Sequence, residues 1–415
     1  MGSSLKSTPP SRPPDPVPLS ELVQTQTVRE SLQWFARERQ WINEQHLNLC
    51  RIPAPTFLEG RRAEWMVTQF RALGWDARID RGGNVVAWPE AARGPFIALT
   101  AHLDTVLAPR VPEDIRLEPD GTFRGPGVSD NGAGLAALLA IARLWRTNPA
   151  RAESGQSLLL VANVGEEGEG NLSGMRYLCR QSSLAGRIRS FVVLDGPATD
   201  HITAQALASR RFEINFTGPG GHSWSDFGTA NPVHALSRAI TNFTDHPRAV
   251  SEGPRSSYNF GMLDGGASIN SIPSDARAKI DIRSESPERI EDLVSLLTSS
   301  VDRALQTEND RSTGGRVTVR IREIGARPGG RLADDASVLR YVRAVDTHLG
   351  IRSHVDCAST DANIPLSMSL PAISIGAGGQ GGGAHTVTEW YHPDGREVGL
   401  KRVLLTLSLL LNEAA

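Results

Sequence analysis

Glu166 and Glu167 stand side by side in "SLLLVANVGEEGEGN", directly after an apolar run that reads as a buried strand. A strand ending in two adjacent carboxylates delivers them to one edge of a sheet, where acids can hold cations or move protons. In "ALTAHLDTV", His102 and Asp104 are two residues apart, so on a strand both side chains point to the same face. Asp104 can then accept a proton from one imidazole nitrogen and leave the other free to bind a metal in a fixed orientation. Asp130 in "GVSDNGAGLAALLA" precedes a helical segment, and Asp195 follows the apolar run "SFVVL". His385 follows a glycine-rich run from Gly376 to Gly383, which would let backbone approach a ligand closely.

Taken singly, each of these residues has an ordinary structural explanation. His-x-Asp can be a polar strand end, and Ser129, Asp130 or Asn131 could each cap the following helix. Asp195-Gly-Pro reads as a turn, and the paired glutamates as a solvated loop. Their conjunction shifts the balance, because His, Asp, Glu-Glu, Asp and His each fall at the end of an expected strand or in the loop leaving it.

The elements that must carry them alternate. "NVVAW", "FIALTAHLD", "SLLLVANV" and "SFVVLD" read as strands, and "GAGLAALLAIARLWRT" and "GMRYLCRQ" as helices. This is the rhythm of an α/β layer structure, whose ligands gather at the carboxyl ends of its strands. A helical pattern runs from Leu22 to about Gln45, and a second amphipathic helix ends at Gly74. From about Ser209 the order becomes β-α-β-β-α-β, a ferredoxin-like arrangement that interrupts the first pattern. The α/β pattern resumes after about Gly325 with the helix "ASVLRYVRAVDTHLG", the strand "PAISIGAG" and a closing helix from Glu397 to Leu411. The expected organisation is a disordered tail over 1–20, rich in Ser and Pro, a catalytic domain over 21–208 and 325–415, and an inserted domain over 209–324.

With 415 residues the chain exceeds what one core usually supports. A formal net charge of −2 gives no electrostatic case for nucleic acid or an anionic membrane. No apolar run reaches the roughly 18 residues that span a bilayer, and no signal-peptide core stands near the N-terminus. Three widely spaced cysteines, Cys50, Cys179 and Cys357, suit a reducing compartment, so a cytoplasmic location is expected.

At this point the sequence resembles the M20 family of co-catalytic metallopeptidases and deacylases. "AHLDTV", "GVSDNGAG", "GEEG", "VLDGP" and "GAHTVTEW" come in the family's order and at its usual separations, and the resemblance runs from about Leu22 to Glu413. It implies a zinc-peptidase-like α/β catalytic domain with an inserted α+β dimerisation, or lid, domain. It also implies two divalent ions bridged by Asp130, one held further by His102 and Asp195, the other by Glu167 and His385. Zinc is the first expectation, and manganese or cobalt also suits oxygen-rich ligands with only two imidazoles. Glu166 would be the general base for water attacking a C–N bond, and Asp104 would orient His102. The Asp130–Asn131 peptide is expected to be cis by the same resemblance.

In the inserted segment, "GHSWSDFGTANPVHAL" comes within one residue of a G-x-S-x-G nucleophile elbow. A serine hydrolase loses as a reading because Ser225 replaces the last glycine and the metal set would be left unexplained. The resemblance instead gives His222 a role at the partner's active site across a homodimer, contacting the reacting carbonyl. It gives Asn270 and Arg283 roles in binding polar or carboxylate groups of the substrate. The ordinary explanations are a turn cap for His222, a loop position for Asn270, and an ion pair with Asp281 or Glu285 for Arg283. By the same resemblance, aspartate at the Asp195 position tilts the expectation towards an aminopeptidase on short peptides, like tripeptidases. An N-acyl amino acid deacylase, a small-molecule amidohydrolase or a hydrolytic deaminase is the alternative, and a non-catalytic metal-binding protein a remote one.

Overall fold

The apolar runs form the centre of a nine-stranded mixed sheet in the computed structural model, which describes residues 18–90, 92, 94–147, 155–250 and 253–413. Phe96–His102 lies between Ser157–Asn163 and Ile188–Leu194, parallel to both, and Ala372–Ile375 continues parallel on the far side of Ile188–Leu194. Strands buried on both faces read as unbroken apolar runs, which is why these segments were legible. The helix Gly132–Thr147 packs on the sheet through Leu135, Leu138 and Leu139, all fully buried. Gly132 lets the start of this helix approach the helix Arg39–Cys50, since a Cβ there would stand 2.5 Å from Cys50 Sγ.

The segment Ala208–Arg327 builds a second sheet with its own core. Its strands run Ser256–Gly265, Asp275–Ser284, Ala208–Thr217, Thr318–Arg327 in spatial order, all antiparallel. The helices Pro232–Thr244 and Pro287–Arg311 supply the other layer, burying Leu236, Phe243, Leu293 and Leu297 against Ile214, Phe216 and Ile282. This is the ferredoxin-like order that the pattern predicted.

Several expectations need correction. The helix read from Leu22 to Gln45 is three pieces, Leu19–Leu22, Gln26–Arg37 and Arg39–Cys50. Thr25 breaks it by accepting a hydrogen bond from the Val28 amide at 3.3 Å, an N-cap that starts a new helix. The tail drawn to residue 20 extends too far, because Leu19 and Ser20 belong to the first helix, whose Leu22 packs with Val345, Leu405 and Leu409. The Ser- and Pro-rich residues 1–17 lie outside the described residues. The strands His201–Ala206 and His354–Ala358 and the helix Asn363–Ser367 were not foreseen, being short and polar for their type. Among the described residues, no helix is long and apolar enough to cross a membrane.

Candidate metal centre and active site

Three neighbouring parallel strands end together, and their ends carry the acids. His102 closes Phe96–His102, Glu166 and Glu167 follow Ser157–Asn163, and Asp195 follows Ile188–Leu194. Asp130 reaches the same place from the loop ahead of Gly132–Thr147, and His385 from the other side with a left-handed φ of 65°.

His102 Nε2 lies 3.0 Å from Asp130 Oδ1 and 3.9 Å from Asp195 Oδ1. His385 Nε2 lies 3.1 Å from Asp130 Oδ2 and 2.9 Å from Glu167 Oε1. Asp130 thus stands between the two imidazoles with one oxygen towards each. Its carboxylate faces the histidines, and Asn131 takes the capping position instead, accepting from the Gly134 amide at 3.1 Å. The Asp130–Asn131 peptide is cis, as the resemblance implied.

Asp104 is fully buried and does more than face an imidazole. His102 Nδ1 lies 2.9 Å from the Asp104 backbone carbonyl, and the Asp104 carboxylate stands 3.6 Å away. That carboxylate instead accepts from the Glu166 amide at 3.0 Å, the Glu167 amide at 2.9 Å and the Thr56 hydroxyl at 2.9 Å. It ties the loop carrying the paired glutamates to the strand carrying His102.

The charge balance fits a cation. Burial pushes Glu166, Glu167 and Asp195 up to about 7, and neighbouring carboxylates add to the rise. Burial also opposes ionisation of Asp130, but its bonds to His102 and His385 outweigh that and hold it below the usual range. The Asp130 hydrogen bond and the Glu167 carboxylate raise His385 to about 9. Ligand atoms of His102, Asp130 and Glu167 lie within 4.8 Å of one another, the compactness that a divalent ion requires. An imidazole and oxygen donor set of this kind suits zinc, manganese or cobalt.

Glu166 is the exception in this group. Its carboxylate contacts neither imidazole and pairs with Arg327 Nη1 at 2.9 Å. His222 pairs with Ser271 on a two-residue ladder, and beside it the Ser223 amide donates to the Asn270 carbonyl at 3.0 Å. His222 and Asn270 are both exposed, and among the described residues the hydrogen bonds of the His222 ring stay within its own loop. Arg283 donates to Asp281 at 2.6 Å, so its charge is engaged locally. Among the described residues, no hydrogen bond or ion pair joins these three to the cluster around Asp130.

The glycine-rich run approaches its own chain closely. A Cβ on Gly376 would stand 1.9 Å from the Ala198 carbonyl, and one on Gly378 would stand 2.6 Å from the Arg396 carbonyl.

Three residues escaped the sequence reading. Glu389 is buried and accepts from the amides of Gly127 at 2.7 Å, Ser129 at 2.7 Å and Asp130 at 2.8 Å. It stands in the same "GAHTVTEW" as His385, so proximity was its only signal. Arg327 and Asp361 carried none. Asp361 is buried beside Glu166, accepts from Asn163 Nδ2 at 2.6 Å, and is raised well above its usual range by burial and then by Glu166. We expect Glu389→Gln to cost about 2–4 kcal/mol, because an amide in its place aims N–H groups at other N–H groups. Denaturant melts and metal titration check this, and wild-type stability with wild-type metal affinity would refute it.

Comparison with known proteins agrees with the geometry. The sequence model of peptidase family M20/M25/M40 matches residues 98–408, and the chain belongs to that family. That family is one of metal-dependent hydrolases. A tripeptidase from Staphylococcus aureus has a similar fold, with a TM-score of 0.74 at 20% identity, covering 90% of this chain and 99% of that one. An amidase of the hydantoinase/carbamoylase family from Burkholderia vietnamiensis aligns with a TM-score of 0.68 at 16% identity, covering 91% and 98%. A probable carboxypeptidase from Uncinocarpus reesii is 26% identical over 222 residues, 48% of each chain. The chain spans about half the length of the curated fungal relatives that it matches.

Proposed function

We propose that this hydrolase cleaves the amide bond of short peptides at a free amino terminus, using two divalent ions. Asp130 would bridge them, with His102 and Asp195 on one and Glu167 and His385 on the other. The observation that carries the reading is the separate pairing of Glu166, whose carboxylate bonds to Arg327 while those of Asp130, Glu167 and Asp195 pair with the imidazoles. An acid without a ligand partner is what a proton shuttle requires and what a purely structural metal site has no use for.

Divalent ions in such a donor set acidify water and polarise a carbonyl. Glu166 takes the proton from the attacking water and returns it to the leaving nitrogen. Asp104 fixes the backbone from which Glu166 and Glu167 project. Aspartate at position 195, as the family resemblance reads it, supports the aminopeptidase reading over one needing a substrate carboxylate.

We read residues 21–208 and 325–415 as the catalytic domain and 209–324 as the inserted one, and we infer a homodimer through the insert. The strand Ser256–Gly265 supports this, since it is an open sheet edge with Met262 and Leu263 exposed. His222 would then act on the partner's substrate, and Asn270 and Arg283 would contact its polar groups. Sedimentation as a monomer at assay concentration would overturn the dimer. Three free thiols, Cys50, Cys179 and Cys357, suit a reducing, cytoplasmic setting.

Trp224 and Phe227, large and exposed beside His222, favour a second reading in which the substrate is a non-peptide amide or aromatic amine. Amine release separates the two. Chelator-stripped protein with and without Zn or Mn is offered a dipeptide, a tripeptide, N-acetyl and N-succinyl amino acids and an aromatic amine. Metal-dependent release confined to the free-amino peptides is expected. Release only from the acyl or aromatic compounds would replace the substrate assignment.

A further inference from the structure

Arg327 ends the outer strand Thr318–Arg327 of the inserted sheet, yet its guanidinium is buried against the catalytic layer. Nη1 donates to Glu166 Oε1 at 2.9 Å and shares the Ser359 hydroxyl at 3.0 Å, while Nη2 donates to the Glu166 backbone carbonyl. One planar group thus grips both the side chain and the main chain of the same glutamate.

The surrounding contacts repeat the pattern. Arg211, on the neighbouring strand Ala208–Thr217, donates to the Gly168 carbonyl. Lys279, on Asp275–Ser284, pairs with Glu169 at 3.0 Å. The Ala326 amide donates to Asn171 at 3.1 Å, and Arg176 donates back to the Ala326 carbonyl. Three adjacent strands of the inserted sheet therefore each fasten the loop over residues 166–171.

Stability alone does not account for Arg327. Its Nε is buried with no hydrogen-bond partner, and an unsatisfied buried donor is unfavourable. Replacing a buried ion pair as a whole by apolar groups of similar volume is often neutral or stabilising, so stability does not by itself call for the pair.

We propose that Arg327 is a positioning residue for Glu166, fixing the carboxylate of the proposed base in register with the inserted sheet. The inference rests on the reading of Glu166 as the base. Because the grip passes from one layer to the other, the orientation of Glu166 follows the placement of the insert.

The test compares the wild type with Arg327→Ala, Arg327→Lys and Glu166→Gln, each with metal content measured. Arg327→Ala should lower kcat at least tenfold with KM and metal content unchanged, and guanidinium ions should restore turnover in a saturable way. Arg327→Lys, which keeps the charge and most of the volume for folding, should recover only part, since one ammonium cannot span both oxygens. Hydrogen exchange should quicken over residues 166–171 and stay unchanged in the strand Phe96–His102. Wild-type kcat in Arg327→Ala beside an inactive Glu166→Gln would overturn the proposal alone. A loss in Arg327→Ala that guanidinium does not restore, with quickened exchange throughout the sheet, would also overturn it. An active Glu166→Gln would overturn the base assignment and the proposal together.

Discussion

Glu166→Gln protein is expected to turn over about 10²- to 10⁴-fold more slowly than wild type while retaining its metal, the range associated with loss of a positioned general base. The substitution keeps shape and hydrogen-bonding length but removes the site that accepts a proton. Glu166 touches neither His102 nor His385, so the donor cluster loses no contact. Its Arg327 partner can still donate to the amide oxygen. Metal analysis of the purified variant beside steady-state rates decides the matter. Unchanged turnover would remove Glu166 from the chemistry, and lost metal would move it into the ligand set.

The largest effect on stability is expected far from that chemistry. Arg402 is fully buried on the closing helix Arg396–Leu411 and holds Asp346, on the helix Ser337–Leu349, through two parallel bonds of 2.6 Å. It also donates to the His201 carbonyl at 3.2 Å. Asp346→Ala leaves that guanidinium without its counter-ion and should destabilise the protein by about 3–5 kcal/mol. Replacing both residues with leucine removes the uncompensated charge and should recover most of the loss. Denaturant midpoints of the single and double variants give the answer, and a single variant that melts like wild type would show that the pair contributes little.

The metal-ligand candidates were legible as a set, because acids and histidines that each have an ordinary explanation singly recur together at the ends of expected strands or in the loops leaving them. His102, Glu167 and Asp195 could be placed by strand direction alone, since neighbouring parallel strands bring their carboxyl ends together. The inserted fold was legible from its alternation, as in "RRFEINFTG" and "ARAKIDIRS". What stayed hidden acts through the main chain or across long separations. Glu389 works by accepting three amides 259 to 262 residues away, and Arg327 by crossing 161 residues to Glu166. A side chain whose partner is backbone leaves no complementary residue in the sequence to betray it. The early helix failed for a local reason, since Thr25 suits a continuing helix by spacing but prefers to cap a new one.

The clasp formed by Glu389 also orders events in time. The loop over residues 127–130 is synthesised long before Glu389, the side chain that accepts from three of its amides in the folded protein. His385 arrives in the same stretch and completes the ring around Asp130. A nascent chain can therefore assemble most of its central sheet while the cluster stays unfinished. A product that stopped short of residue 385 would lack both His385 and Glu389, and so would carry the central sheet without two of the groups that meet at Asp130 and its loop.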